Sequence, residues 1–183
     1  MTRCCISELT MERLRENLES LKMKNTLEIL DNYLERAVND NLNIVEVLRH
    51  IFAEETQSKR RRAYEKQVQM SGFPIKKTLE DFDFSIQPSI DNRKIDELAT
   101  MRFLENTENI VFLGPPGVGK THLASALGMA AVQHRFSTYY INCHQLIELL
   151  KKAHFENHLP DKLKIFGKYK LLIIDEIGCL PMD

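Results

Sequence analysis

A glycine-rich segment in the second half of the chain constrains its fold more than any other feature. Residues 114–121 read Gly-Pro-Pro-Gly-Val-Gly-Lys-Thr and match the pattern G-x-x-x-x-G-K-[ST]. A polyphosphate needs many hydrogen-bond donors at close range, and successive backbone N–H groups in a glycine-rich turn supply them. The segment therefore predicts a phosphate-binding loop between a strand and the N-terminus of a helix.

The residue types in this loop and its flanks suit a nucleotide. Lys120 would reach the β- and γ-phosphates as a point charge, and the Thr121 hydroxyl would ligate Mg²⁺. An apolar run at residues 110–113 precedes the loop, and a helical pattern through Leu123 and Leu127 follows it. We predict that ATP and Mg²⁺ bind here. The predicted binding residues are Gly114, Pro115, Pro116, Gly117, Val118, Gly119, Lys120 and Thr121.

A second motif lies at residues 171–176, where the apolar sequence Leu-Leu-Ile-Ile ends in Asp-Glu. In a parallel sheet the carboxyl ends of the strands open onto the ligand crevice. We predict that Asp175 holds Mg²⁺ through a bound water and that Glu176 orients and polarises the water that attacks the γ-phosphate. A strand that ends in two acids is a weak signal by itself, and the phosphate loop upstream makes it specific. Glu176 and Lys120 are the predicted catalytic residues.

Two kinds of hydrophobic pattern divide the chain. Strand and helix patterns alternate in the second part, which predicts an α/β fold with a parallel sheet. Three apolar stripes at helical spacing fill the first part, and Ser-Gly-Phe-Pro at residues 71–74 resists helix continuation. We predict a helical domain at residues 1–74 and a phosphate-loop core at residues 75–183. The third helical stripe consists of Ile44, Leu48, Ile51 and Phe52.

With both motifs in place, the sequence resembles the IstB-like ATP-binding proteins, helper ATPases of insertion-sequence transposition that are related to DnaC-type helicase loaders. The resemblance is carried by residues 114–124, 171–183 and 77–84, and the first helices fit it more loosely. It implies a P-loop core of AAA+ type that forms a homo-oligomer on double-stranded DNA and delivers a transposase. It also adds His122 to the residues expected to hold the nucleotide.

The resemblance also implies elements that the family places after the position of Asp183: a strand with a polar sensor residue, an arginine finger and a helical lid. We therefore expect an AAA+ core that is incomplete at its C-terminus and binds ATP better than it hydrolyses it. Two alternatives stay open. One is a DnaC-like loader of a replicative helicase, and the other is a non-catalytic nucleotide- or DNA-binding remnant of a shortened gene.

A basic segment precedes the predicted domain boundary. Residues 57–77 contain seven Lys or Arg and one acid, although the whole chain has a net charge of −1. Clustered basic side chains bind DNA phosphates by releasing counterions, but a solvated helix face has the same composition. The family resemblance favours DNA, and the lack of a base-reading motif favours contacts to its backbone. The candidate residues are Lys59, Arg60, Arg61, Arg62 and Lys66.

The remaining features bear on the compartment. No apolar run approaches the roughly 18 residues that suggest a membrane span, and the N-terminus has no apolar signal-peptide core. The four cysteines show no paired spacing, which is typical of reduced thiols. We therefore predict a cytoplasmic protein without a membrane partner.

Overall fold

The computed structural model describes residues 8–85, 87 and 90–177. The chain divides into two compact units, residues 1–63 and 64–183. This division lies N-terminal to the boundary that we predicted after residue 74. Among the helices that the structure describes, none is long and apolar enough to cross a membrane.

The first unit consists of helices, as the three apolar stripes predicted. Helix α1 spans Glu8–Ser20, α2 spans Lys24–Asn39 and α3 spans Ile44–Met70, the last residues of α3 belonging to the second unit. Helix α3 ends directly before the Ser-Gly sequence that predicted a stop. Apolar residues from the three helices form the core of the first unit. Its buried members are Leu18, Met23, Leu30, Val47 and Ile51.

The buried side of α3 is not the one that we predicted. Of the predicted stripe only Ile51 is buried, and the other three side chains are exposed. The buried stripe contains a carboxylate and a hydroxyl, so an apolar pattern could not reveal it. The exposed residues are Ile44, Leu48 and Phe52. The buried stripe consists of Val47, Ile51, Glu55 and Ser58.

The second unit alternates helices and strands. The helix predicted around Ile95 and Phe103 is divided, because Met101 takes a left-handed φ of 64° between its two parts. The last helix was not predicted, although it has a proline in its first turn, where proline is tolerated. The helices are α4 (Asn92–Ala99), α5 (Arg102–Glu105), α6 (Lys120–Gln133), α7 (Cys143–Phe155) and α8 (Leu159–Phe166). The strands are β1 (Thr138–Asn142) and β2 (Leu171–Asp175).

The two strands pair in parallel, with Thr138 opposite Leu171 and Asn142 opposite Asp175. Helices α7 and α8 connect them, which gives the βαβ arrangement that the alternating patterns predicted. The α/β fold with a parallel sheet is therefore confirmed. Because the strands are parallel, Asn142 and Asp175 lie at the same edge of the sheet.

Residues 110–113 do not join this sheet, so the strand predicted there is wrong for the residues that the structure describes. Ile110 and Phe112 pack against a buried cluster, whereas Val111 and Leu113 are exposed. This alternation is that of a half-buried strand. A strand also needs a neighbouring backbone for its hydrogen bonds, and none of the described residues provides one here.

Helix α6 packs against both strands and is the most buried helix of the second unit. Its apolar residues face the sheet because a parallel sheet is covered by helices. Gly128 allows a close approach: a Cβ atom there would lie 2.5 Å from Cε1 of Phe73 and 2.7 Å from Cδ1 of Ile173. This packing holds the N-terminal end of α6 beside the carboxyl end of β2.

Candidate nucleotide-binding site

The predicted phosphate loop leads directly into α6. Gly117 and Gly119 have φ angles of 84° and 90°, a region that favours glycine. Gly119 is the N-cap residue of α6. The first N–H groups of a helix have no intrahelical acceptor, and the helix dipole adds positive potential at this end. The loop therefore has the geometry of an anion-binding helix terminus.

The connecting segment at residues 78–84 packs against the loop. A Cβ atom at Gly119 would lie 2.5 Å from Cε2 of Phe82, so both conformation and space require glycine there. The Phe82 ring also meets the His122 ring edge-on, with centroids 5.1 Å apart. Nε2 of His122 lies 3.1 Å from the Thr78 carbonyl oxygen. The His122 side chain is thus used in packing, which leaves its backbone N–H as the group available for a phosphate.

Lys120 turns back onto the loop. Its Nζ donates hydrogen bonds to the carbonyl oxygens of Gly114 at 2.8 Å and Pro115 at 2.7 Å. Phosphate oxygens are anionic acceptors and form stronger hydrogen bonds with an ammonium group than carbonyl oxygens do. The ammonium group is therefore positioned inside the loop and can exchange its carbonyl partners for a phosphate.

The two sequence motifs meet at a hydrogen bond between Thr121 and Asp175. Oγ1 of Thr121 donates to Oδ2 of Asp175 at 2.8 Å, although the residues are 54 positions apart. The other carboxylate oxygen, Oδ1, accepts the N–H of Glu176 at 2.9 Å. A hydroxyl and a carboxylate side by side are the hard oxygen ligands that Mg²⁺ prefers. These residues therefore fit the predicted metal.

A third donor reaches the same carboxylate from the neighbouring strand, because the Tyr140 hydroxyl also donates to Oδ2 of Asp175. Burial raises the pKa of Asp175, but the hydrogen bonds from Tyr140, Thr121 and the Glu176 N–H, with the nearby Lys120 charge, outweigh it. The pKa of Asp175 is therefore below its ordinary value, and the carboxylate is ionised at neutral pH. Burial and the bond to Asp175 raise the pKa of Tyr140, which stays protonated.

Glu176 follows the strand in an exposed position with a left-handed φ of 58°. Its Oε2 accepts a hydrogen bond from Nδ2 of Asn142. Asn142 is itself held in place as the N-cap of α7, where its Oδ1 accepts the N–H of His144 at 2.8 Å. The cap thus orients the amide group that contacts Glu176.

Tyr140 and Asn142 were not among the residues predicted from the sequence. Both are polar side chains in β1, a strand that we recognised only by its β-branched and aromatic residues. Their proximity to Asp175 and Glu176 depends on the pairing of β1 with β2. The signal that could have revealed them is the polar residue at the end of β1, because ends of adjacent parallel strands share one edge.

The basic residues predicted to contact DNA are exposed on α3. Two of them have partners on the same helix: Arg62 donates to Oγ of Ser58 at 2.9 Å, and Nζ of Lys59 lies 3.8 Å from Oε1 of Glu55. The segment 59–62 belongs to the first unit, and Lys66 belongs to the second. The basic segment is therefore a surface feature of the protein, and contact with DNA stays a prediction.

Comparison with known proteins links this site to one family. The family model described as "IstB-like ATP binding protein" matches residues 16–183. The chain is 46% identical over 172 residues to the insertion sequence IS232 putative ATP-binding protein of Bacillus thuringiensis subsp. berliner, covering 94% of this chain and 69% of the relative. It is 40% identical over 172 residues to the IS5376 putative ATP-binding protein of Geobacillus stearothermophilus, covering 94% of this chain and 68% of the relative.

A third relative is the insertion sequence IS21 putative ATP-binding protein of Pseudomonas aeruginosa, which is 40% identical over 173 residues. That alignment covers 94% of this chain and 65% of the relative. The chain thus spans about two thirds of the length of these relatives. The aligned part includes the phosphate loop and the acidic pair, since the family match extends over both.

Proposed function

Because the chain belongs to the family of IstB-like ATP-binding proteins, we propose that it binds ATP with Mg²⁺ at the phosphate loop and assists the transposition of an insertion sequence. The observation that carries the proposal is the hydrogen bond between Thr121 and Asp175, which joins the loop to the acidic strand end. The three relatives named above are described as insertion-sequence proteins. Their descriptions favour transposition over the loading of a replicative helicase.

The proposed ATP site uses groups that the fold has already oriented. The loop amides and the N-terminus of α6 hold the phosphates, and Lys120 exchanges its bonds to Gly114 and Pro115 for phosphate oxygens. Thr121 and Asp175 hold the metal ion, Asp175 through a bound water. When bound, Mg²⁺ neutralises part of the phosphate charge.

Glu176 is the proposed group that orients and polarises the attacking water. Its carboxylate is exposed at the carboxyl end of β2, where a water and a γ-phosphate can both be reached. The Asn142 amide restrains this carboxylate through one oxygen and leaves the other available. Proton abstraction by Glu176 therefore requires only a rotation of its side chain, and no movement of the strand.

DNA and a transposase are the proposed macromolecular partners. Exposed basic side chains on α3 would contact the DNA backbone, and the full-length protein would act in the cytoplasm as a homo-oligomer. The two alternative functions have separate tests. A replicative helicase recovered with the N-terminal helices in place of DNA would favour the loader, and nucleotide binding without turnover would favour the non-catalytic remnant.

The decisive experiment measures ATP affinity in the wild type and in Lys120→Ala. The chain has no tryptophan, so a fluorescent ATP analogue serves as the reporter. Removal of a charge-assisted contact costs about 1.5–3 kcal/mol, so we expect the affinity to fall about tenfold or more.

Lys151→Ala is the matched control, because Lys151 is an exposed lysine on α7 in the same unit. It removes the same charge and should leave the affinity within about twofold of the wild type. Equal affinities for Lys120→Ala and the wild type would refute the proposed ATP site.

A further inference from the structure

The Asp175 carboxylate receives two hydroxyl donors on a single oxygen. Thr121 donates to Oδ2 from the phosphate loop, and Tyr140 donates to the same atom from β1. The hydroxyl of Thr121 has a second task in the proposed function, because its oxygen is a metal ligand. Tyr140 has no such task, so its hydroxyl serves the carboxylate alone.

Tyr140 is held in one place by contacts on its backbone and its ring. Its N–H donates to the carbonyl oxygen of Ser71 at 2.8 Å. Its ring meets the Phe73 ring at an angle of 64°, with centroids 6.1 Å apart. The residue is only 7% exposed. A side chain that is fixed in this way presents its hydroxyl in one direction, which a flexible surface side chain would not do.

Asp175 needs such support because of its position in the chain. It is the last residue of β2, and Glu176 leaves the strand with a left-handed φ of 58°. The backbone therefore restrains the carboxylate less than it would in the middle of a sheet. Metal ligands are commonly oriented by hydrogen bonds from residues that do not touch the metal, and loss of such a partner lowers metal affinity about 10- to 100-fold.

We propose that Tyr140 is a positioning residue that orients the Asp175 carboxylate for Mg²⁺, an inference that rests on the proposed function. Tyr140 does not touch the nucleotide or the metal ion in this assignment. Its hydroxyl keeps Oδ2 beside Thr121 and leaves the carboxylate ionised and correctly turned when the metal ion arrives. The tyrosine therefore sets the magnesium requirement of nucleotide binding, and it does not set the affinity for the nucleotide without metal.

The test is a magnesium titration of Tyr140→Phe, with a fluorescent ATP analogue as the reporter. The variant keeps the ring that packs against Phe73 and loses only the hydroxyl. We expect the Mg²⁺ concentration for half-maximal tight binding to rise about tenfold, the lower end of the range for such partners. Binding measured in EDTA should stay within about twofold of the wild type, because no contact to the phosphates has changed.

Tyr139→Phe is the matched control. Its side chain lies on the other face of β1, where its ring stacks on the Tyr169 ring with centroids 5.0 Å apart. We expect no change in its magnesium requirement. A Tyr140→Phe protein with the wild-type magnesium requirement would overturn the inference and leave the proposed ATP site intact. A lower melting temperature or an equal loss of affinity in EDTA and in Mg²⁺ would make Tyr140 structural only, and would also overturn it.

The wild-type protein supplies a second test that does not depend on the folding of a variant. The chain has five tyrosines, so labelling with ¹³Cζ-tyrosine gives few signals. We expect the Tyr140 signal to respond to Mg²⁺ added with ATP, and to show the bond to Asp175 before the addition. A Tyr140 signal without that bond would overturn the inference. If the wild type shows no magnesium-dependent nucleotide binding, the proposed function fails and this inference fails with it.

Discussion

At the scale of single residues, Gly119 links the phosphate loop to its support. Its φ of 90° is costly for any residue with a Cβ atom, and that atom would lie 2.5 Å from Cε2 of Phe82. We expect Gly119→Ala to lower the free energy of unfolding by about 1–3 kcal/mol. Because the loop amides would move, it should also abolish tight ATP binding. Chemical denaturation and nucleotide titration check the two effects separately.

Gly167→Ala is the control for this change. Gly167 follows α8 with an ordinary φ of −66°, and a Cβ atom there would meet the Leu163 carbonyl oxygen at 3.4 Å. We expect its stability to stay within about 0.5 kcal/mol of the wild type. Wild-type ATP affinity in Gly119→Ala would contradict the role given to this glycine.

Glu176 offers a residue-scale test of the separation between binding and chemistry. Glu176→Gln keeps the shape of the side chain and removes the carboxylate that polarises water. We expect turnover to fall about 10²- to 10⁴-fold, with nucleotide affinity close to that of the wild type. Steady-state phosphate release measures the first quantity, and Glu148→Gln, an exposed glutamate on α7, is the control. Unchanged turnover in Glu176→Gln would remove this residue from the mechanism.

At the scale of elements, a buried carboxylate ties α3 to the start of α2. Oε2 of Glu55 accepts the Thr26 N–H at 2.8 Å and the Thr26 hydroxyl at 3.0 Å. The first N–H groups of α2 have no intrahelical acceptor, so Glu55 supplies from another helix what an N-cap side chain normally provides. The connection explains why α3 buries a glutamate where an apolar residue would be expected.

The connection predicts a measurable loss of stability. Glu55→Ala leaves a buried N–H and a buried hydroxyl of Thr26 without their acceptor, which costs about 1–3 kcal/mol. Glu54→Ala changes the neighbouring exposed glutamate and should have little effect. Urea unfolding of the two variants decides between them. Equal stabilities would show that the contact contributes nothing net to the first unit.

At the scale of the whole molecule, charge is distributed unevenly. A net charge of −1 gives no general attraction for DNA, so DNA affinity must come from the basic segment at residues 59–62. We expect an alanine triple variant of Arg60, Arg61 and Arg62 to reduce the slope of log affinity against log salt by about one unit for each phosphate that is no longer neutralised. Binding of duplex DNA at several salt concentrations gives the slope.

The control for this experiment must change the net charge by the same amount elsewhere. Alanine replacements of the exposed residues Lys151, Lys168 and Lys170 in the second unit do so. We expect this second triple variant to keep the wild-type salt dependence. If both triple variants keep the wild-type slope, the basic segment is only a solvated helix face.

The chain's sequence alone determined the local features whose physical cause lies within a few residues. Glycines with positive φ followed by Lys-Thr predict an anion-binding helix terminus, and an apolar strand that ends in Asp175 and Glu176 predicts a carboxylate at the ligand edge of a parallel sheet. Helix periods predict the helices, and the family resemblance is confirmed by the match over residues 16–183.

Only the tertiary structure decided which distant groups meet. The contacts of Tyr140 and Asn142 with the acidic pair arise from the register of β1 on β2, which no local pattern specifies. The polar stripe on α3 is buried because Thr26 of another helix provides its partner. Residues 110–113 alternate like a strand, yet strand assignment depends on a neighbouring backbone. In each case the deciding energy is a contact between segments far apart in the chain, and sequence periodicity records only how each segment meets its surroundings on average.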